Sequence, residues 1–339
     1  MKSTSCWNSR QVNSTLEASG KNNLWNFFAQ AFFFVCLACL FFPGTGCSKL
    51  SNSPGPSNSA PSIEQIIDSE SNTHLFRFLL QKSGLDSTLT QMGPFTTFIS
   101  LDQGFASVGI DSPHLSALSD SMLFSLASYA IIDGEALGPG NLPAGPDASI
   151  VTAGGDSIFV TENSHGIFVN GIAVTQANVP ASNGIINVLA EPLIPPQGTL
   201  LQILQSDSNY SFMSAAIARA AQGATNVDSL LSTLPLTLFV PVDSAFPAAG
   251  YGSISAINNA NPDSLAAILL YHMVPARLFT SDFLQDINPT TLSGQWVTIV
   301  PGNMPQIKGI GNTQFFPMLR TNIMARNGVI HELSAVLLP

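Results

Sequence analysis

The chain repeats itself. Phe98-Ile99-Ser100-Leu101-Asp102, followed by Phe105, returns 141 residues later as Phe239-Val240-Pro241-Val242-Asp243, followed by Phe246. Tyr129 returns as Tyr271 after 142 residues, and Asn183-Gly184-Ile185-Ile186 as Asn327-Gly328-Val329-Ile330 after 144. Pro195 and Pro339 also stand 144 apart. Solenoid modules repeat every 20–50 residues or so, which makes this longer period a duplicated globular domain. The expected boundaries are 62–196 for the first copy and 197–339 for the second.

Each copy orders its local signals alike. Ser62-Ile63-Glu64-Gln65 is a capping-box pattern with Ile63, Ile66 and Ile67 on one helical face; Leu200, Ile203 and Leu204 open the second copy at similar spacing. Ser112-Pro113 and Asn261-Pro262 each set a capping residue before a proline suited to a first helical turn. Leu115, Leu118 and Met122, like Leu265, Ile268 and Leu269, carry helical spacing up to the tyrosines. Strand signals follow: Ile167-Phe168-Val169 and Ile172-Ala173-Val174 flank Asn170-Gly171, a two-residue hairpin signal. Asn183-Gly184 and Asn327-Gly328 predict further tight turns. The fold class is α+β, with helices early and antiparallel strands late in each copy.

These motifs resemble the FAS1 (fasciclin) family over nearly everything after residue 61. Thr237-Leu238-Phe239-Val240-Pro241-Val242-Asp243-Ser244-Ala245-Phe246 fits its first motif throughout; the first copy departs at Ser100 and Gly104. The family's central Tyr-His stands as Tyr271-His272, against Tyr129-Ala130 in the first copy. The closing motif is Asn327-Gly328-Val329-Ile330-His331 through Leu338-Pro339, with Asn187 in place of histidine in the first copy. The resemblance implies two FAS1 domains, each a β-sandwich core with helices packed at one end. It also implies adhesion to an extracellular protein or glycan, with Tyr271 and His272 as candidate ligand-binding residues. A buried, hydrogen-bonded structural role is the competing reading of that pair.

Composition narrows the function classes. From Ser48 onward there are 8 basic and 20 acidic residues, a net charge of −12, which disfavours phosphate-backbone binding and with it nucleic acid. All four cysteines lie within residues 1–47, leaving the repeated body no thiol for a disulfide, zinc site or nucleophile. The histidines (His74, His114, His165, His272, His331) lack metal-ligand spacing, and there is no P-loop, dinucleotide fingerprint or nucleophile elbow. No catalytic residue, metal or cofactor is expected. Two alternatives remain: an extracellular ester or glycan hydrolase with His272 as base, and a structural subunit docking with other envelope proteins.

The N-terminus reads as an export signal. Lys2, Arg10 and Lys21 precede 12 apolar residues, Ala31 to Phe42, which suits a signal-peptide core and falls short of a spanning helix. Pro43-Gly44-Thr45-Gly46-Cys47 resembles a bacterial lipobox, with Gly44 where leucine is usual. The expectation is residues 1–47 as signal peptide with lipidation at Cys47, and residues 48–61 as a flexible tether. Ser48 after the cysteine points to the outer membrane. An uncleaved signal anchor starting at Leu24 is the alternative.

Overall fold

The computed structural model describes residues 60–339 apart from 144, 146, 147, 234 and 284–286, so the expected signal peptide (1–47), Cys47 and nearly all of the expected tether (48–61) lie outside the described residues. The first copy contributes β1 (Phe95–Ser100), β2 (Ile131–Asp133), β3 (Ser149–Val151), β4 (Ser157–Asn163), β5 (Gly166–Val169), β6 (Ile172–Ala181) and β7 (Gly184–Leu189). They form one sheet in the order β2-β1-β7-β6-β5-β4-β3. The second contributes β8 (Leu236–Pro241), β9 (Met273–Val274), β10 (Thr298–Val300), β11 (Gln306–Lys308), β12 (Phe316–Ala325) and β13 (Gly328–Leu333), ordered β10-β11-β12-β13-β8-β9. In both sheets the motif strand runs parallel to the closing strand, β1 with β7 and β8 with β13.

These central strands are buried on both faces, and alternation sorts their side chains between two cores. Phe95 and Ile99 join the helices, whereas Phe98 joins Ile132, Ile158, Val160 and Leu189 from other strands. Three strands separate β1 from β4 in the sheet, yet their side chains meet in one cluster, so the sheet curls over on itself. The second copy does the same, with Leu238 and Val240 toward the helices and Phe239 toward the strands. Phe105 and Phe246 are buried beside the helices.

The opening helices, Ile63–Ser69 and Leu200–Ser206, begin with complete capping boxes, Ser62 with Gln65 and Thr199 with Gln202. Each cap contributes about 1 kcal/mol. The helices His74–Ser83 and Ser211–Ala220 lack a side-chain cap of their own. Asp102 supplies the first, accepting from the Leu75 amide at 2.9 Å and bonding His74 Nδ1 at 2.9 Å. Asp243 supplies the second, accepting from the Phe212 amide at 2.8 Å and from the Ser211 hydroxyl. The motif aspartates are therefore N-caps, each for a helix distant in sequence.

Two local expectations need correction. Asp111, not Ser112, caps the helix Ser112–Ala117, and that helix stops at its C-cap Leu118, so Met122 lies on a new helix, Asp120–Ser128, and faces solvent. The closing motifs do form tight turns, shifted by one residue: Ala181 pairs with Gly184 and Ala325 with Gly328, so Ser182-Asn183 and Arg326-Asn327 are the central residues and each glycine starts its strand. Asn183 Oδ1 instead accepts from the Ile63 amide at 2.9 Å while Nδ2 donates to the carbonyl of Leu89. Asn327 likewise accepts from the Leu200 amide and donates to Leu231. The glycine is set by crowding. A Cβ at Gly184 would lie 2.1 Å from the Phe95 carbonyl oxygen, and one at Gly328 would lie 2.3 Å from that of Leu236. Asn170-Gly171 does form the expected hairpin turn, with φ of 51° and 79° between paired Val169 and Ile172.

The two copies belong to one compact unit. The Arg277 guanidinium lies 3.8 Å over the Phe159 ring, and Phe159 also packs toward Phe279. Thr161 donates to Asp282 Oδ1 at 2.9 Å, Asn163 to the Ser281 carbonyl at 2.9 Å, and Arg326 pairs with Asp156 at 3.1 Å.

Candidate functional site

Tyr271 closes the helix Pro262–Tyr271, which starts from an Asn261 cap, and His272 is its C-cap before β9. Both side chains are interior, at 0% and 1% exposure. The Tyr271 hydroxyl donates to the Trp296 carbonyl at 2.8 Å and accepts from the Ile310 amide at 2.8 Å. His272 Nδ1 donates to the Ile268 carbonyl at 2.8 Å, and Nε2 accepts from the Leu337 amide at 2.9 Å. Those partners fix a neutral imidazole, and burial pushes its pKa down to about 4 against the pull of the Ile268 bond. Burial also raises the Tyr271 phenol.

No polar atom of the pair points outward; what the pair holds does. Trp296 is 54% exposed, Ile310 50% and Leu338, next to Leu337, 37%. The Gly311 amide donates to the Leu338 carbonyl at 2.9 Å, joining the segments that carry Ile310 and Leu338. Tyr271 and His272 thus converge on three backbone segments that present large apolar side chains to solvent. Sequence reasoning passed over Trp296, although it is the sole tryptophan after residue 25.

The first copy keeps the latch and loses the platform. Tyr129 donates to the Ser157 carbonyl at 2.9 Å and accepts from Asn170 Nδ2 at 2.9 Å. Ser157 stands where the second copy has Trp296, Asn170 is buried in its turn, and Ala130 replaces the histidine. The closing motif differs too. His331 Nε2 donates to the Leu278 carbonyl at 2.8 Å between the rings of Phe239 and Phe283, and its Nδ1 is buried without a partner. Burial pushes its pKa to about 4. Asn187 does the corresponding work in the first copy, donating to the Leu137 carbonyl.

The arrangement gives the hydrolase alternative no support. A general base must reach the proton it removes, and both His272 nitrogens are engaged with backbone inside the core. His74, His114 and His165 lie at the surface, and no group of three or more potential metal ligands gathers among the described residues. No helix among the described residues is long and apolar enough to cross a membrane.

A second feature has no sequence motif. Where the copies meet, a cleft of about 950 Å³ is lined by Val108, Ile110, Ile172 and Ile194 from one side and Ile203, Leu319, Arg320 and Ile323 from the other. Arg320 lies 3.7 Å from Asp207 and 3.6 Å from Glu332, both beyond hydrogen-bond length. Glu332 in turn accepts from the Tyr210 hydroxyl at 3.1 Å.

The Fasciclin domain family model matches residues 71–195 and 211–339. Transforming growth factor-beta-induced protein ig-h3 of Sus scrofa is 24% identical over 267 residues, which cover 77% of this chain and 35% of that protein. Protein sll1483 of Synechocystis is 28% identical over 144 residues, 42% of this chain and 73% of its own. The chain thus spans about a third of the length of the pig protein it matches. A solved FAS1 domain pair from the insect cell adhesion molecule Fasciclin I is 19% identical with a TM-score of 0.38, over 78% of this chain and 96% of that one.

Proposed function

The chain belongs to the Fasciclin domain family, and from that premise we propose that it is an adhesion protein that binds an extracellular protein or glycan through its second domain. The observation that carries this is that Trp296, Ile310 and Leu338 are exposed on three backbone segments tied together by Tyr271, His272 and the Gly311–Leu338 bond, which we read as one platform. An exposed tryptophan flanked by aliphatic side chains offers a rigid apolar face, the kind of surface that anchors protein contacts and stacks on sugar rings. In this reading Tyr271 and His272 are positioning residues and the ligand touches what they present. Attachment to the cell envelope through a lipid on Cys47, at the outer membrane, completes the proposal. Metabolic lipid labelling that persists in Cys47→Ala would remove that part.

The test is a screen of matrix-protein and glycan arrays with protein beginning at Ser62. A specific hit should weaken about tenfold in Trp296→Ala, the effect of losing one aromatic anchor. A hit unchanged in Trp296→Ala, Ile310→Ser and Leu338→Ser would discard the platform.

A further inference from the structure

The cleft between the copies shares no residue with the Trp296 platform, and its chemistry is different. Val108, Ile194 and Leu319 are 40%, 41% and 49% exposed there, so three large aliphatic side chains outside the cores converge on one concavity. A volume of about 950 Å³ reaches the upper end of ordinary ligand sites. No aromatic side chain among the described residues lines it, so those residues offer no ring on which a sugar would stack.

Charge selects among the remaining occupants. The first copy, residues 62–196, holds 13 acidic and 2 basic residues, a net of −11; the second, residues 197–339, holds 7 and 5, a net of −2. Glu191, an exposed residue of the acidic copy, and Asp207, from the second, both line the cleft. Against these stands the single guanidinium of Arg320, 57% exposed and held by Asp207 and Glu332 at distances too long for hydrogen bonds. Anionic lipids and acidic glycans are repelled by that field. A polypeptide meets every feature: aliphatic side chains for the floor, a lysine or arginine for Glu191, and backbone carbonyl oxygens to accept from Arg320.

We infer that this cleft is a second binding site, which takes an extended segment of a partner protein bearing alternating aliphatic and basic side chains. The site goes beyond the second-domain platform and does not depend on it. Both copies build it, which gives the tandem arrangement a role that neither copy has alone.

The experiment is fluorescence anisotropy of the full chain with a labelled synthetic peptide alternating leucine and lysine. Serine-lysine and leucine-glutamate peptides serve as comparisons. The leucine-lysine peptide should bind saturably, and both comparisons at least about tenfold more weakly. Glu191→Lys and Leu319→Ser should each weaken binding about tenfold, whereas Glu70→Lys, an exposed acidic residue outside the cleft, should change it little. Trp296→Ala should leave it unchanged. Equal binding of the serine-lysine peptide, or equal damage from Glu70→Lys and Glu191→Lys, would reduce the effect to diffuse attraction by the acidic copy and overturn the site. Loss in Trp296→Ala with retention in the cleft variants would also overturn it while leaving the platform standing.

Discussion

The two copies share one scaffold and differ at the places that could meet a partner. In both, a strand threonine holds the following loop: Thr96 donates to the Glu135 carbonyl and accepts from the Leu137 amide, and Thr237 does the same with Ala276 and Leu278. The aspartate caps, the asparagine latches and the tyrosine bonds also recur. The second copy alone has two buried histidines and an exposed tryptophan; the first carries most of the negative charge. Side chains that recur are therefore those that hold the curled sheet and its helices together. Those that differ set surface and acid response.

If the scaffold is truly equivalent, the same lesion should damage each copy alike. Gly184→Val and Gly328→Val each drive a side chain into the carbonyl of the parallel partner strand, where backbone cannot yield cheaply. Each should lower the stability of its own copy by about 4 kcal/mol or more. Trp296 fluorescence in protein beginning at Ser62 reports the second copy, and far-ultraviolet dichroism reports both. Gly328→Val should abolish the tryptophan transition while Gly184→Val leaves it recognisable. A mild effect of either would break the equivalence.

Acid should separate the copies next. His272 and His331 have folded pKa values near 4, below the ordinary 6.5, because burial penalises the imidazolium. As pH falls below about 6.5 the unfolded state takes up protons first, so stability drops from there down through about 4. Each histidine accounts for up to about 3 kcal/mol over that window. The first copy has Ala130 and Asn187 at these positions and keeps its histidines at the surface. Its Asp102 is held below 3.8 because hydrogen bonds from Leu75 and His74 outweigh the upward push of burial, so that contribution is lost only in stronger acid. Denaturation between pH 7 and 4.5 should destabilise the tryptophan-reporting copy selectively, and His331→Asn should flatten the dependence. A second copy indifferent to pH over this range would show that neither buried histidine resists protonation.

Much of this was legible in the chain, and what escaped has a physical reason. The motif phenylalanines, the capping boxes and the Asn170-Gly171 turn follow from local rules, because side chains near in sequence decide them. The capping role of Asp102 and Asp243 had no such local basis, because their client helices lie about 30 residues upstream and only the fold brings them close. Asn183-Gly184 and Asn327-Gly328 read as turns and the turns form, one residue out of register, with the asparagine side chain bonded to a helix start and the glycine in a strand contact. Tyr271 and His272 were visible as a candidate site; that they face inward depends on Trp296, Ile310 and Leu337, which carry no local signature. The cleft was invisible, since it is made where two repeats meet and belongs to neither.

The smallest expected effect concerns that meeting. Besides the hydrogen bonds of Thr161 to Asp282 and Asn163 to Ser281, a stack and an ion pair join the copies: Arg277 and Phe279 on Phe159, and Arg326 with Asp156. Arg277 is 9% exposed, so its attraction to the ring acts with little water between them. Arg326 is 59% exposed at its side chain, and water and salt screen it from Asp156. Phe159→Ala should therefore cost about 2–3 kcal/mol of the coupling between the two unfolding transitions. Arg326→Gln should cost only about 0.5 kcal/mol, vanishing in high salt. The comparison is read from how far apart the tryptophan and whole-chain transitions move in each variant. If Arg326→Gln separates them as far as Phe159→Ala, and salt does likewise, the copies are joined by charge, and the −11 against −2 imbalance becomes part of what aligns them. If only the ring matters, the junction is a small apolar core in its own right, and the cleft beside it keeps its shape in any salt.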